Sequence, residues 1–396
     1  MNRYAEQKPP QWWPPKLSPF WFRIWRPLRR RQRIREHRLV EVEVRGLERL
    51  REALDAGNGI LITPNHSAHS DPQTVLEVAD QLGMPFYFMS AWQVFHQQHR
   101  LGRRILQHHG CFSIDREGTD LKAFRQATEI LEKSTHPLVI FPEGEVYHTN
   151  DRVTPFREGA AAILFSAARR AKRDLVALPC GIKYEYVEDP TDDLVELMTR
   201  LETEIFWRPR PDLPLHERIY RFAEAAMALK ELEYRGATSA GPLPNRIEAL
   251  AAHILQSLED RYEVSHTDRT TPERVKELRR LALKPIDELP EGDPARRQHE
   301  HDLDDLFLVL QLFSYPGDYV RERPSIERMA ETLDKLEEDM LNVFYPTIKG
   351  HRRSTVSFGE PIAVEKDRRQ QDVQALTQTM EKAVQAAMDS MRKPGP

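Results

Sequence analysis

Short apolar runs alternate with stretches of helical spacing between residues 40 and 186, and this alternation constrains the fold more than any other feature. The runs have the length of buried strands and lie at 40–44, 60–62, 86–89, 138–141 and 176–179. Helical spacing covers 72–82, 119–133 and 157–172. Strands separated by helices pair at least partly in parallel, with the helices packed on the sheet. The pattern therefore predicts an α/β domain.

The character of the chain changes after Tyr186. Amphipathic helical segments follow at about 191–207, 214–235, 244–262, 272–284, 298–314 and 325–343. Strand-like alternation returns at 355–362, and a last helix is predicted over about 366–391. The simplest organisation has four parts: a basic aromatic arm (1–38), an α/β domain (39–187), a helical insertion (188–352), and a closing strand and helix of the α/β domain (353–396).

Composition narrows the class of protein. The chain of 396 residues contains only Cys111 and Cys180, which argues against a disulfide framework or a thiolate metal site. It has no run of 18 apolar residues and no apolar core of a secretory signal near its start, so we expect neither a transmembrane helix nor secretion. We expect a cytoplasmic protein that meets a membrane, if at all, peripherally on the cytosolic face.

The basic aromatic arm (1–38) gives a reason to expect contact with a membrane. Between Arg23 and Arg38 the chain carries eight arginines, opposed only by Glu36. The aromatic residues that precede or border them are Trp12, Trp13, Phe20, Trp21, Phe22 and Trp25. Tryptophan prefers the headgroup boundary, and basic residues are attracted to anionic leaflets. We predict an anionic membrane surface as the partner of residues 11–38. An arm packed on the protein and a nucleic-acid arm are the alternatives, and nucleic acid is not the expected partner.

Ionisable side chains crowd together where the run 60–62 ends. The stretch ITPNHSAHSDP, residues 62–72, contains His66, His69 and Asp71. In open α/β sheets this end of a strand is where ligands bind. One interpretation is a capped turn, because Asp71 followed by proline is typical of a helix start. A second is a metal site, although this spacing is that of neither common metal motif with paired histidines, and further ligands would have to come from His108, His109 or His148.

The third interpretation is a catalytic pair. His66 and Asp71 are five positions apart across a strand-to-helix turn, so the carboxylate is able to accept from one ring nitrogen. That bond would fix the tautomer and leave the other nitrogen to take a proton from a substrate hydroxyl. The residues alone leave these three interpretations open.

Several short sequence blocks favour the catalytic pair, because they resemble the blocks of a known enzyme family. His66 to Asp71 matches the H-x4-D of the glycerolipid acyltransferase family, the 1-acylglycerol-3-phosphate acyltransferase-like enzymes, which the chain resembles. The other matching blocks follow in the family's order: 110–116, ending at Arg116, then Phe141-Pro142-Glu143-Gly144, Phe156-Arg157 with Gly159, 178–182 and 358–362. The resemblance spans about 40–186 and 355–363. It implies a mixed sheet flanked by helices (the glycerol-phosphate acyltransferase-like fold), here with a large helical insertion.

The resemblance also implies roles for individual residues. His66 would be the catalytic base and Asp71 its orienting partner. Arg116 would hold the phosphate of the acceptor, since guanidinium binds phosphate through a bidentate fork. Glu143 and Gly144 would shape the acceptor pocket, with Arg157 as a further substrate-binding residue. For Arg116 the alternative is a structural salt bridge, for example to Asp120, and for Glu143 it is a capping carboxylate.

One block departs from the family. After Phe-Pro-Glu-Gly the family usually has Thr-Arg-Ser, whereas this chain has Glu145-Val146-Tyr147. The place of an arginine is thus taken by Val146, and Glu145 adds a negative charge. Either Arg152 or Arg157 is a candidate to compensate.

These observations together predict an O-acyltransferase. A fatty acyl group would pass from an acyl-CoA or acyl-carrier-protein thioester to a hydroxyl of a lysophosphatidate-like glycerolipid, in phospholipid biosynthesis. The thioester is already activated, so we expect no cofactor and no metal. An acyltransferase on a non-phosphorylated alcohol and a non-catalytic scaffold at a membrane surface are the alternatives.

Overall fold

The chain divides into two compact units. The computed structural model describes residues 11–116, 118, 120–265, 269–286, 288–365 and 372–392. One unit is Thr191–Pro346, and the other contains the described parts of Pro9–Pro190 and Thr347–Pro396.

The unit that contains the described parts of Pro9–Pro190 and Thr347–Pro396, the α/β unit, is built on a sheet that has eight strands in its described residues. The strands are β1 (Leu39–Arg45), β2 (Gly59–Pro64), β3 (Tyr87–Ala91), β4 (Cys111–Ile114), β5 (Leu138–Val139), β6 (Leu175–Tyr186), β7 (Arg352–Phe358) and β8 (Ile362–Ala363). Their order is β1-β7-β6-β2-β5-β3-β4, and β8 pairs with β6. All pairs are parallel except β6 with β7 and β6 with β8, which are antiparallel.

Helices cover both faces of this sheet. They are α1 (Pro19–Ile24), α2 (Arg26–Arg35), α3 (Leu47–Asp55), α4 (Asp71–Leu82), α5 (Trp92–His96), α6 (Arg100–His108), α7 (Leu121–Lys133), α8 (Gly159–Ala168) and, after residues 191–346 in the chain, α16 (Val373–Asp389). Successive side chains of β2 point to opposite faces of the sheet, so the strand contributes to a core on each face. Ile60 and Ile62 lie in the core beneath α4, while Leu61 between them lies in the core beneath α7, α8 and α16. Burial on both faces is why this strand is a continuous apolar run.

The other unit is helical in its described residues. Its helices are α9 (Thr191–Glu204), α10 (Leu215–Arg235), α11 (Leu243–Arg261), α12 (Thr271–Ile286), α13 (Pro294–Phe313), α14 (Tyr319–Glu322) and α15 (Ile326–Leu341). Leucine and valine side chains of α11, α12 and α13 form one apolar core. Buried arginine–glutamate pairs flank it, such as Arg218 with Glu202 at 2.6 Å. A buried pair of this kind is costly to break because it leaves an uncompensated charge.

This architecture confirms the predicted α/β class with a mixed sheet and a helical insertion. Two predicted strands differ in detail. The run 138–141 pairs only over Leu138–Val139, because the chain then turns away into the Phe-Pro-Glu-Gly block. The predicted strand 355–362 is two strands, β7 and β8, separated by Gly359, Glu360 and Pro361, and proline has no N–H for a sheet ladder. Of the predicted last helix, 366–371 lie outside the described residues.

The arm forms the short helices α1 and α2 and is partly packed on the α/β unit. Trp13 is buried and stacks on Phe95, with ring centroids 5.4 Å apart. Phe22 is buried under Arg29, which itself forms an ion pair with Asp80. The opposite face carries exposed apolar side chains: Phe20, Trp21, Ile24 and Leu28. The arm therefore combines a packed face with an exposed amphipathic face.

Among the described helices, none combines the length with the low charge content that spanning a bilayer requires.

Candidate active site

The predicted histidine–aspartate pair is formed. Nδ1 of His66 lies 2.9 Å from Oδ2 of Asp71, at the carboxyl end of β2. Asp71 is fully buried and is the first residue of α4, followed by proline at a position where the helix needs no N–H donor. The positive end of the helix favours a carboxylate at this position. Both the pair and the helix start that the sequence predicts for Asp71 are therefore present together.

Asp71 has two further partners that orient it. The hydroxyl of Tyr184 donates to its Oδ1 at 2.7 Å, and the N–H of Ala68 donates to its Oδ2 at 3.0 Å. Tyr184 also lies 2.9 Å from the hydroxyl of Thr74. Burial and the neighbouring charge of Asp71 raise the pKa of Tyr184 well above its usual range, so this hydroxyl stays a donor. The carboxylate is thus held in one orientation toward His66.

Sequence reasoning missed Tyr184. It lies on β6, which is a neighbour of β2 in the sheet but follows it by more than a hundred positions in the chain. Its side chain reaches Asp71 only because the two strands pair. The alternation of β6 marks Tyr184 as an inward-facing residue, but no local motif indicates which group it meets.

Asn65 fixes the start of the site loop. Its side chain forms two hydrogen bonds with the backbone of Ile182 on β6, donating to the carbonyl at 3.0 Å and accepting from the N–H at 2.6 Å. This side chain continues the pairing of β2 with β6 by one residue after the strand ends. The next residue, His66, is held in place as a result.

Phe141 and Glu143 hold His66 from the other side. The imidazole stacks on the ring of Phe141, with centroids 4.3 Å apart. Oε1 of Glu143 accepts from the N–H of His66 at 2.7 Å, and its Oε2 accepts from the N–H of Thr154 at 3.1 Å. Burial raises the pKa of Glu143 to about 8, although the two N–H donors oppose that shift. Glu143 caps backbone groups here, as the structural alternative predicts, while its role in an acceptor pocket stays a prediction.

Nε2 of His66 is available for proton transfer. Its side chain is 17% exposed, and no described residue hydrogen-bonds its Nε2. With Nδ1–H donating to Asp71, Nε2 carries the lone pair and is able to take a proton from a hydroxyl group. Among the other histidines considered as metal ligands, His108 and His109 contact the backbone carbonyls of Lys16 and Ile105. His69 and His148 lie next to each other, with ring centroids 5.7 Å apart, so a metal site at these two residues stays a hypothesis.

The remaining predicted residues form a second cluster. Nη1 of Arg116 lies 2.9 Å from Oε2 of Glu145 and also donates to the carbonyl of Gly144. Gly144 has a φ of +81°, which favours glycine, and a Cβ there would lie 2.7 Å from Nε of Arg157. Arg116 thus forms a salt bridge, but to Glu145 rather than to Asp120, which caps α7 instead. The binding roles predicted for Arg116, Gly144 and Arg157 stay predictions.

One comparison with known proteins matches the region of the chain that contains this site. Residues 41–183 match the family model described as Acyltransferase. No curated protein sequence matches the chain. The matched region contains the histidine–aspartate pair, the Phe-Pro-Glu-Gly block and Arg116, and it ends one residue before Tyr184. Residues 41–183 are therefore identified as an acyltransferase domain.

Proposed function

We propose that the protein transfers a fatty acyl group from an acyl-CoA or acyl-carrier-protein thioester to a hydroxyl of a glycerolipid, with His66 as the general base. The observation that carries this proposal is the chain of contacts from Tyr184 through Asp71 to Nδ1 of His66. Such a chain orients an imidazole and stabilises its protonated form. Whether the glycerolipid carries a phosphate depends on the surroundings of Arg116.

The proposed reaction has a single transfer and no acyl-enzyme. Nε2 of His66 takes the hydroxyl proton while the hydroxyl oxygen attacks the thioester carbonyl carbon. The new carbon–oxygen bond forms, the carbon–sulfur bond breaks, and the proton held by His66 passes to the departing thiolate. No metal or cofactor is required, because the thioester is already activated and the protein supplies the base and the positioning.

A thiol-release assay tests the proposal. Purified protein would be mixed with acyl-CoA or acyl-carrier protein and a panel of glycerolipid acceptors, with lipid products identified by mass spectrometry. We expect thiol release that depends on an acceptor and yields the acylated acceptor. A protein that binds vesicles but releases no thiol with any acceptor would instead match the scaffold alternative.

Removal of the Tyr184 hydroxyl should slow the reaction without preventing it. Tyr184→Phe deletes one donor to Asp71, and a hydrogen bond to a charged group is worth about 1.5–3 kcal/mol. We expect kcat to fall roughly 10-fold, the low end of the factor that this energy corresponds to, with little change in the KM of either substrate, since Tyr184 acts through Asp71.

Tyr234→Phe provides a matched control. Tyr234 donates to Oδ1 of Asp305 at the same distance, 2.7 Å, but lies in the helical unit. We expect it to change thermal stability by a comparable amount and kcat not at all. Equal kcat in both variants and the wild type would show that Tyr184 has only a structural role.

We also propose that the arm attaches the protein to an anionic membrane surface. Phe20, Trp21, Ile24 and Leu28 are 40–65% exposed, although they are large and apolar. Arg26, Arg30 and Arg31 of α2 line a groove together with Glu77 of α4. Aromatic residues beside arginines are the composition expected at a headgroup boundary, and they favour a membrane over nucleic acid.

Charge reversal on α2 should weaken vesicle binding. Each basic residue near an anionic leaflet contributes about 1 kcal/mol, so Arg30→Glu with Arg31→Glu should lower affinity for phosphatidylserine-containing vesicles by roughly 30-fold or more. Arg51→Glu with Arg169→Glu makes the same change of charge at two exposed residues elsewhere on the α/β unit and should have little effect. Substitution is preferable to removal of the arm, because Trp13 and Phe22 are buried. Equal binding by all three proteins in a sedimentation assay would exclude the arm as the attachment site.

A further inference from the structure

Glu145 stands where the family usually has threonine, and its side chain forms an ion pair with Arg116. It is 24% exposed, and Arg116, its ion-pair partner at 2.9 Å, is 23% exposed. Nη1 of Arg116 also donates to the carbonyl of Gly144, the preceding residue. The guanidinium predicted to bind the acceptor is therefore held by two groups of the protein's own chain.

This ion pair lies on a segment that contacts the backbone of His66. Glu143 accepts from the N–H of His66 at 2.7 Å, and the N–H of Tyr147 donates to the carbonyl of His66 at 3.2 Å. Glu145 lies midway between these two contacts. Because consecutive Cα atoms are about 3.8 Å apart, its Cα is within about 8 Å of the residues on either side that bind His66. Arg116 thus binds a segment whose flanking residues contact the backbone of His66.

Positive charge surrounds the carboxylate of Glu145. Burial alone would raise the pKa of Glu145, but neighbouring positive charges, that of Arg116 foremost and that of Arg157 among them, hold this pKa below its usual range. Glu145 is therefore an anion at neutral pH. Arg157 packs against Gly144, and Tyr147, whose hydroxyl it hydrogen-bonds, is buried. Two arginines thus lie around a carboxylate that the protein itself provides.

We propose that Glu145 takes the place of a substrate phosphate and selects an acceptor without one, a neutral monoacylglycerol-type alcohol. This proposal rests on the proposed acyl transfer to a glycerolipid hydroxyl. A phosphate monoester at Arg116 would have to displace Glu145 or lie next to it, and two anions at this distance repel each other in a partly buried site. A neutral alcohol meets no such repulsion. A carboxylate has several acceptor sites, so Glu145 is able to accept from a hydroxyl while it binds Arg116.

Two measurements on Glu145→Gln test the proposal. The first is the ratio of kcat/KM for lysophosphatidate to kcat/KM for monoacylglycerol, both in mixed micelles with one acyl-CoA. We expect the wild type to favour monoacylglycerol at least tenfold, and the ratio to rise at least tenfold in Glu145→Gln. That factor is the low end of the roughly 10- to 150-fold range expected for a charge-assisted contact between arginine and phosphate. The second is calorimetric binding of glycerol 3-phosphate, which should be at least tenfold tighter in the variant.

A control and a second variant keep the test independent of folding and of total charge. Glu132→Gln removes a glutamate that pairs with Arg170 at 2.8 Å and is 15% exposed, so it matches Glu145 in charge and burial. It should change neither measurement. If Glu145→Gln does not fold, the double variant Glu145→Thr with Val146→Arg restores the family pattern at both positions and should shift the ratio in the same direction.

A wild type that prefers lysophosphatidate would overturn the proposal, and so would glycerol 3-phosphate affinity that is equal in the wild type and in the Glu145 variants. If the wild type acylates neither acceptor, the proposed function fails. The binding measurement still decides the role of Glu145 in that case, because it requires no turnover.

Discussion

His66→Ala is expected to reduce acyl transfer by roughly 10²- to 10⁴-fold, because a positioned general base contributes about that factor. The loss should fall on kcat and leave the KM of the thioester nearly unchanged. The measurement is thiol release at saturating concentrations of both substrates, with thermal unfolding followed in parallel. Since the imidazole is 17% exposed and lies on a loop, its removal should leave unfolding cooperative.

His69→Ala is the matched control for this experiment. His69 lies three residues further along the same loop, and its ring packs against that of His148 rather than against Asp71. We expect activity in this variant to stay close to that of the wild type. Full activity in folded His66→Ala would refute the assignment of the base. Activity that a chelator abolishes and zinc restores would favour the metal interpretation instead.

Asp71→Asn is expected to cost roughly 10²- to 10⁴-fold in kcat, by analogy with removal of the orienting carboxylate in histidine-dependent hydrolases. An amide that donates to Nδ1 of His66 would stabilise the tautomer with the proton on Nε2, and this tautomer is unable to take a proton from the substrate. The substitution also leaves one oxygen for the donors Tyr184 and Ala68, which now bind separate oxygens of Asp71. We therefore expect a loss of stability as well, which is measured separately by thermal unfolding.

Asp302→Asn separates the two effects. Asp302 is also fully buried, and it accepts from the hydroxyl of Tyr262 at 2.7 Å in the helical unit. It should be destabilised to a similar degree yet retain the kcat of the wild type. If both variants lose activity in proportion to their loss of stability, Asp71 has no specific part in the chemistry.

The class of fold was predictable because strands buried on both faces must be continuous apolar runs. The runs at 60–62 and 176–179 lie in β2 and β6 for this reason, with alternate side chains in two cores. The strand β4 (Cys111–Ile114) and the helices α3 and α6 were not predicted as such. The strand β4 has only four residues, which are too few for its periodicity to be distinguished.

The arm shows a different limit of sequence reasoning. Its composition was compatible with binding to a membrane surface, packing on the protein or binding to nucleic acid. Composition does not indicate which of the aromatic rings are buried. The structure divides them: Trp13 and Phe22 pack on the α/β unit, whereas Phe20 and Trp21 are exposed. Only the position of α1 and α2 against Phe95 and Asp80 makes this distinction.

The sequence by itself determined the α/β class and the helical insertion, because each depends on local patterns of apolar residues. It also placed His66 and Asp71 within reach of each other, and the resemblance to a known family favoured their pairing. The tertiary structure decided which distant groups meet them. Tyr184 reaches Asp71 because β6 pairs with β2, and Glu143 holds the N–H of His66 because β5 lies beside β2 in the sheet. The pairing of Arg116 with Glu145 was likewise not predictable from the sequence, since local patterns do not indicate which residue 29 positions away becomes an ion-pair partner. Contacts between strands depend on the order of the sheet, and that order is a property of the folded chain rather than of any local segment.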